Sequence, residues 1–547
     1  MSLQQDQVHD FLNKYREGRI TRRQLLSAAS LVGGLGLAQA LLAGCLPAAQ
    51  PTPQAAAALT SAPAKPATPK RGGTLVAATI DKPVNLDPAF AELYSSMQVY
   101  QNIFSFPVNV TRDSTLVPGL AKAWKQVNET TWEFSLVDNA YFHNGEHFTA
   151  KDMKYSLDRI VDPKLGASNA VFMAPYQGSE VINDNTIRVT TKPNWGGLLL
   201  ALATSGNIVN QKAIEANDPK LAPVGCGPFK FVEWVKDDHI TLERWDKYFR
   251  PGKPYLDKVI FKAIADDEVR LTGLLKAELN WVEQVPLHRV GELKQNKQIK
   301  ANPEGAFFPD MFLINCSKPP FDKVEVRQAL QWALDRKAIV NLTWYGQAFE
   351  SKEAVSPQNP WYSGVDLYPG APNLDKAREL LAKAGLPNGF KMVFAAQSQV
   401  ATQVKVGQLL KEQLKPLGIE VEVASFESAR WFEELATGRY DITSTYWSAT
   451  VDPGEHCYYP TNYSTSPWNF NKFTTGPDLD KALESYEFTV DPEQRKKAYA
   501  EVVRLNQQYS PEIFQVNFLR TYWTQPNVQG VVTVPSLELV LEDVWME

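Results

Sequence analysis

Hydrophobic and polar positions alternate in several short stretches of the chain, a pattern that predicts β-strands with one buried face. In residues 131–136 three large apolar side chains fall on the same side of the extended chain. Two further segments, 229–234 and 239–245, flank the polar residues Lys236, Asp237 and Asp238. This arrangement predicts an antiparallel hairpin.

Apolar residues spaced three and four apart predict helices. Thr149 followed by Asp152 is typical of a capping box, and it predicts a helix that begins there and runs to Ile160. Later in the chain strands and helices alternate, over residues 390–395, 403–417, 419–423, 427–436 and 440–447. Such alternation predicts right-handed crossovers and a mainly parallel sheet. Ligands of parallel sheets bind beyond the carboxyl ends of the strands, which directs attention to residues 446–453.

Composition narrows the possible functions. The chain has 547 residues, too many for a single core, and 44% of them are hydrophobic and 21% charged. A formal net charge of −5 argues against a nucleic-acid partner. The sequence contains no nucleophile elbow, HExxH, P-loop or CxxC motif and only six histidines. We therefore do not expect an enzyme, although a secreted hydrolase remains as an alternative of a different class.

The N-terminal region indicates export. Arg22 and Arg23 form a twin-arginine pattern ahead of an apolar, uncharged run that ends in Leu42-Ala43-Gly44-Cys45. Charged, apolar and small-residue segments in this order are typical of secretory signals. A single transmembrane anchor is the alternative, but Gly and Ser dilute the run and make it marginal for a span. We expect a lipoprotein signal over residues 1–44, lipidation of Cys45, and a Pro/Ala-rich tether over residues 45–71.

Cys226, Cys316 and Cys457 are the other cysteines. They allow at most one disulfide, either Cys316–Cys457 or Cys226–Cys316, and small buried hydrophobic side chains are an equally good interpretation.

Four segments together resemble a known family: PGLAKAW, FHNGEHFTAKDMKYSLDRI, KPPFDKVEVRQALQWALDRKAIV and the block from Val224 to Pro286. In that block Gly225 and Gly227 suggest close backbone approach and unusual dihedral angles ahead of the hairpin. The four segments are similar to the consensus of family 5 extracellular solute-binding proteins of ABC transporters, in the same order. The resemblance covers about residues 72 to 547.

The resemblance implies an α/β, two-lobed periplasmic-binding-protein-like fold, joined by two hinge strands near 307–314 and 515–520. On this basis we assign residues 72–310 to lobe 1, with an inserted subdomain at about 115–205, 311–516 to lobe 2, and 517–547 to the return into lobe 1. It also implies a monomer that binds a peptide or other small solute and interacts with the membrane subunits of an ABC permease. The same resemblance implies attachment to the membrane through a lipid and no cofactor.

The site residues also follow from the resemblance. Trp447 lies where relatives place an aromatic residue against the ligand, and Thr450 occupies the position at which peptide-binding relatives place an aspartate for the ligand's amine. This departure weakens the interpretation that the ligand is a free dipeptide, although Asp452 or Glu455 could bind the amine in place of the missing aspartate. The other candidates, from family placement, are Tyr446, Tyr94, Ser95 and Trp344.

Two alternatives remain within the family. An oligosaccharide would suit the aromatic content and the missing amine clamp. The interpretation that the ligand is a nickel chelate depends on His456, which lies near Asp452, Glu455 and Cys457 in the sequence. A solvated loop explains these residues better, so we assign no metal site.

Overall fold

The computed structural model describes residues 68–90, 94–111, 115–302, 307–446, 452, 458–533 and 539–547. The predicted signal, lipidation site and most of the tether lie outside them. The α-helices in the described part of the chain are α1 (Tyr94–Tyr100), α2 (Ala150–Ile160), α3 (Leu198–Thr204), α4 (Gln211–Ala216), α5 (Asp267–Leu275), α6 (Val290–Leu293), α7 (Val324–Ala333), α8 (Arg336–Leu342), α9 (Leu374–Lys383), α10 (Ala401–Leu414), α11 (Ser428–Thr437), α12 (Tyr459–Asn462), α13 (Pro477–Glu487) and α14 (Pro492–Tyr509).

The strands of the same residues are β1 (Thr74–Thr79), β2 (Val108–Val110), β3 (Leu116–Pro118), β4 (Ala121–Asn128), β5 (Thr131–Leu136), β6 (Tyr176–Asn183), β7 (Thr186–Thr191), β8 (Phe229–Val235), β9 (His239–Arg244), β10 (Lys258–Ala263), β11 (Trp281–Glu283), β12 (Lys300–Asn302), β13 (Phe307–Ile314), β14 (Ala348–Glu350), β15 (Lys391–Gln397), β16 (Glu420–Phe426), β17 (Ile442–Tyr446), β18 (Glu512–Leu519), β19 (Tyr522–Thr524), β20 (Val528–Gln529), β21 (Val532–Thr533), β22 (Leu539–Val540) and β23 (Trp545–Met546).

A seven-stranded mixed sheet forms the centre of the first lobe. Its strand order is β12-β19-β11-β1-β10-β9-β8, and β1 runs parallel to both β10 and β11. The predicted hairpin is present as β8 and β9, with Asp237 at a positive φ of 62° in its turn. The two glycines ahead of it approach the backbone closely, since a Cβ at Gly225 would lie 2.1 Å from the Ile103 carbonyl oxygen and one at Gly227 2.6 Å from it. Neither glycine adopts a positive φ, so the expectation of unusual dihedral angles there was wrong.

A four-stranded antiparallel sheet, in the order β4-β5-β7-β6, lies in the same lobe. Strand β5 is the alternating segment read from the sequence, and Phe134 and Leu136 are fully buried on its inner face. Helix α2 packs on this sheet and begins with the expected capping box, in which Thr149 accepts from the Lys151 backbone and Asp152 accepts from the Thr149 backbone.

The second lobe is built on a six-stranded sheet in the order β14-β18-β13-β17-β15-β16. The predicted parallel part is present, because β15 runs parallel to β16 and to β17. Strands β13, β14 and β18 are antiparallel to their neighbours, so the sheet is mixed rather than mainly parallel. The reason is that β13 and β18 are chain-crossing segments that pair with each other directly instead of through a helical crossover.

The chain passes between the two sheets twice. The first passage lies between β12 and β13, and the second lies between β18 and β19, at the end of the expected hinge region near 515–520. The second passage leaves Arg520 and Thr521 between the sheets.

The two described cysteines are unpaired. Cys226 and Cys316 are buried in separate hydrophobic clusters, so the Cys226–Cys316 disulfide is not formed. Burial raises the pKa of the Cys316 thiol to about 11 and that of Cys226 to about 12. Cys457 lies outside the described residues.

Candidate functional site

Carboxyl ends of strands from both sheets meet at the two chain passages. Asp81 follows β1, Glu283 ends β11, and Tyr446 ends β17 of the second lobe. Strand ends of this kind are where α/β proteins place ligand-binding side chains.

Arg520 lies at the centre of this meeting point. Its guanidinium forms an ion pair with Glu283 of the first lobe, and both side chains are at most 2% exposed. Its Cζ atom lies 4.4 Å from the ring centroid of Tyr94, 5.5 Å from that of Phe308 and 5.7 Å from that of Tyr446. We call Arg520 with these three rings the Arg520 box. Tyr94 is hydrogen-bonded to Tyr522 of the seven-stranded sheet, whereas Phe308 and Tyr446 lie on strands of the six-stranded sheet, so the box joins elements of both sheets.

The ion pair leaves hydrogen-bonding capacity unused. Within the described part of the chain, the Nε and Nη1 atoms of Arg520 have no hydrogen-bond partner. Buried guanidinium nitrogens without partners are rare in folded proteins. They therefore indicate a place where a further acceptor can bind.

Two tyrosines close the first-lobe side of the box. The hydroxyl groups of Tyr94 and Tyr522 are 2.9 Å apart, and Tyr522 stacks on Trp281 with ring centroids 4.9 Å apart. Burial raises the pKa of both phenols, which keeps them neutral at physiological pH. As neutral phenols they can both donate and accept hydrogen bonds at this meeting point.

Asp81 is a second charged group at this meeting point, near enough to Arg520 to feel its charge. It is half-buried, and none of the described residues donates a hydrogen bond to its carboxylate. Burial raises its pKa, while the positive charges of Arg520 and Arg270 oppose that shift. The Ile80 amide donates to Glu283 Oε2 at 3.2 Å, which fixes Asp81 one residue away from the Arg520–Glu283 pair.

A buried polar cluster lies on the second-lobe sheet behind the box. Ser444 Oγ donates to Asp310 Oδ1 at 2.6 Å, and Gln515 Nε2 donates to the same oxygen at 3.2 Å. Burial raises the pKa of Asp310 to about 7, since only neutral groups compensate for the lost hydration.

The structure brings together several of the residues predicted from the sequence. Tyr94 and Tyr446 both contact Arg520, and Ser95 is buried beside Tyr94 with an Oγ atom that has no partner among the described residues. Trp344 stacks on Phe518 with centroids 4.1 Å apart, so it supports the aromatic wall behind Phe308 and does not belong to the box.

The remaining candidates lie elsewhere or are not described. Asp452 forms an ion pair with Arg495 at 2.9 Å, and both side chains are less than 10% exposed. Trp447 and Thr450 lie outside the described residues, as do Glu455 and His456, and within the described part of the chain no group of three or more His, Cys, Asp and Glu side chains could hold a metal ion.

Sequence reasoning missed Arg520, Glu283 and Asp81. One signal was available, because Arg520 is the single charged residue within the apolar and aromatic stretch from 518 to 523. A charge in such a stretch is a candidate for a buried functional role.

The lobes also touch at a second place, which we call the distal contact. Trp195 Nε1 donates to Glu487 Oε1 at 2.5 Å, and the Gly196 amide donates to the Glu487 carbonyl at 3.2 Å. A Cβ at Gly196 would lie 2.7 Å from the Thr489 carbonyl oxygen, so only glycine permits this approach. Burial raises the pKa of Glu487, and Arg495 opposes that shift.

Comparison with known proteins identifies the family. The model described as "Bacterial extracellular solute-binding proteins, family 5 Middle" matches residues 115–469. The chain is 26% identical over 476 residues to the glutathione-binding protein GsiB of Pectobacterium atrosepticum, covering 84% of this chain and 91% of that protein.

Solved structures agree with that assignment. The ABC transporter-associated periplasmic binding protein DppA of Helicobacter pylori, in complex with the peptide STSA, matches with a TM-score of 0.80 at 23% identity, covering 87% of this chain and 99% of that one. The binding protein AgaA of A. tumefaciens R10, in complex with agropinic acid, matches with a TM-score of 0.77 at 27% identity and the same coverage of both chains.

Within the part of the chain that the structure describes, no helix has both the length and the apolar character needed to cross a membrane. The family match spans well over half of the chain, and its two-lobed neighbours share the architecture described above. The chain belongs to the family 5 extracellular solute-binding proteins of bacteria.

Proposed function

We propose that this protein captures a peptide or peptide-like solute outside the cytoplasm by closure of its two lobes and delivers it to an ABC permease. The observation that carries the proposal is the Arg520 box, in which one buried cation is held between rings of both lobes. A ligand that contacts this box contacts both lobes, and it therefore favours the closed arrangement.

The relatives support this ligand class. GsiB is a glutathione-binding protein, and AgaA was solved with agropinic acid. Both ligands are small organic acids, and a partly unsatisfied guanidinium in a crevice suits such acids.

The boundaries of the two lobes and the anchoring of the chain belong to the same proposal. We assign residues 72–310 and 517–547 to lobe 1 and 311–516 to lobe 2, with Cys45 as the lipidated residue and residues 45–71 as the tether. Trp447 and Thr450 remain proposed ligand contacts because they follow β17, whose end already reaches the box.

The direct test is mass spectrometry of small molecules that co-purify with the protein, followed by thermal-shift screening. A ligand at a hundredfold excess over its Kd adds about 2.7 kcal/mol to the free energy of unfolding. We expect shifts with peptides or peptide-like acids. Shifts with oligosaccharides alone, or with Ni²⁺ chelates alone, would contradict the proposed ligand class.

Anchoring has its own test. Membrane fractionation of the wild type and of Cys45→Ser should show the wild type with the membrane and the variant in the soluble fraction. A variant that stays with the membrane would refute lipidation at this residue.

A further inference from the structure

The six-stranded sheet of the second lobe ends in an open edge at β16. This strand is the last in the strand order and pairs only with β15. The Glu420 amide donates to the Phe390 carbonyl at 2.8 Å, so the backbone groups of Glu420 face β15. Successive residues of a strand direct these groups to opposite sides, so those of the odd-numbered residues point outward. These residues are Val421, Val423 and Ser425, and none of the described residues forms a hydrogen bond with their outward groups.

A cavity of about 560 Å³ lies beside this edge, at the amino ends of β15 and β16. Its buried apolar lining includes Met392, Ile419 and Val421, which are at most 3% exposed. The carboxylate of Asp441, which also lines it, is occupied by Lys318 at 2.5 Å and by the Val393 amide at 2.9 Å. Because β15 and β16 run parallel to β17, whose carboxyl end reaches the Arg520 box, the cavity lies at the opposite end of the sheet. A molecule bound in the cavity therefore leaves the proposed solute site free.

The two sides of the edge carry opposite charge. Glu420 and Glu422 lie on one face of β16 and are exposed, whereas Val421 lies on the other face, which α10 covers. The carboxyl end of α10 lines the cavity from that second face with Lys411, Glu412 and Lys415, a net positive set. The edge therefore presents carboxylates on one side and an excess of ammonium groups on the other.

Within the chain these charges are used little. Glu420 pairs with Lys391 at 2.8 Å, but the two side chains are 69% and 82% exposed, and an ion pair of that kind contributes little stability. Glu422, Lys411 and Lys415 form no ion pair with any described residue. All three are therefore available to an incoming chain.

We propose that the β16 edge and its cavity bind an extended polypeptide segment of a partner protein in which basic and acidic side chains alternate. The segment adds a further strand to the six-stranded sheet by pairing with the outward backbone groups of β16. Because its side chains alternate between the two faces, the basic ones meet Glu420 and Glu422 while the acidic ones meet Lys411 and Lys415. This interaction is independent of the proposed solute capture.

Charge favours such a partner over a second copy of the chain. If two copies paired through β16, residues opposite each other would share a face, so the Glu420 and Glu422 carboxylates of both copies would lie together. Like charges on an edge are one way in which strands resist pairing with their own kind. An alternating segment instead gives each of these charges an opposite partner.

The experiment uses the full-length protein and two fluorescent, end-blocked peptides of equal composition. One peptide alternates lysine and glutamate, and the other places all lysines before all glutamates. In anisotropy titrations at low salt, the wild type should bind the alternating peptide about tenfold more tightly, because only that peptide matches both sides of the edge.

Three variants separate charge recognition from backbone pairing. Glu422→Lys and Lys415→Glu should each remove the preference for the alternating peptide. Val423→Pro removes one outward N–H at an edge position, where proline is tolerated, and should abolish binding. Glu379→Lys is the control, since Glu379 is exposed on α9 and its reversal should leave binding unchanged.

Absent or equal binding of the two peptides by the wild type would overturn the proposal, as would a preference that survives both charge reversals. Displacement of the alternating peptide by the solute that gives the largest thermal shift would assign its binding to the Arg520 box and would also overturn it. A wild-type dimer in sedimentation equilibrium that Val423→Pro dissociates would assign the edge to a second copy instead. None of these outcomes bears on solute capture, which the thermal-shift screen tests separately.

Discussion

The distal contact should set how readily the lobes close, and Trp195→Phe tests it. The substitution keeps an aromatic ring in place and removes only the indole N–H, which donates to Glu487 at 2.5 Å. Both residues are buried and lie 292 positions apart, so this bond forms only where the lobes touch.

The magnitude follows from the type of bond. A hydrogen bond to a charged group contributes about 1.5–3 kcal/mol, and its loss acts only on the closed state. The equilibrium constant for closure should therefore fall by about 10- to 150-fold, and the apparent ligand affinity by up to the same factor. Small-angle X-ray scattering should show a larger radius of gyration for the unliganded variant. Calorimetric titration with the peptide that gives the largest thermal shift in the wild type should show the weaker Kd.

The matched control is Trp431→Phe. Trp431 also donates its indole N–H from a buried position, to Thr443 Oγ1 at 2.9 Å, but both of these residues lie within the second lobe. This control should lower folding stability and leave the radius of gyration and the affinity unchanged. An unchanged Trp195→Phe variant, or an equal loss of affinity in both variants, would refute the reasoning.

Further predictions concern pH and stability. The pKa of Glu487 is raised where the lobes touch, so the closed state binds its proton more tightly than the open state. The affinity for the ligand should therefore be highest at acidic pH and fall as pH rises above about 4.5 towards that raised pKa. Titrations at several pH values should show that Glu487→Gln flattens this profile and that Glu484→Gln does not. Burial raises the pKa of Asp310 from 3.8 to about 7. Its contribution to the free energy of unfolding should therefore fall by about 4 kcal/mol between about pH 4 and 7 and stay constant at higher pH. In urea titrations at several pH values, Asp310→Asn should not show this decrease. Gly225→Ala should destabilise the protein by about 1–3 kcal/mol or more, measured by urea unfolding, because the added methyl would lie 2.1 Å from a carbonyl oxygen. Thr149→Ala should cost about 1 kcal/mol in the same measurement through loss of the capping box, and an unchanged midpoint would contradict that role.

Local patterns predicted local structure well. The alternating residues of β5, the hairpin around Asp237 and the capping box at Thr149 all appear where the sequence placed them. Gly418 and Gly438 adopt positive φ at the ends of their helices. Each of these features depends on neighbours within a few positions, and the chain carries that information directly.

The site was predicted only in part, for an equally physical reason. Tyr94 and Tyr446 were named because they follow family placement, and the structure brings both to Arg520. The ion pair of Asp452 with Arg495 of α14 joins residues that are 43 positions apart, which no local pattern encodes.

By itself, the sequence determined the family, the α/β character and the faces and caps of most elements, because periodicity and capping act over a few residues. Only the tertiary structure decided that Arg520 meets Glu283 and that Trp195 meets Glu487. Those pairings follow from the order of strands in two sheets and from the two passages of the chain between them. The order of strands in a sheet is set by the burial of whole surfaces. Residues hundreds of positions apart therefore become neighbours although no local sequence pattern predicts it.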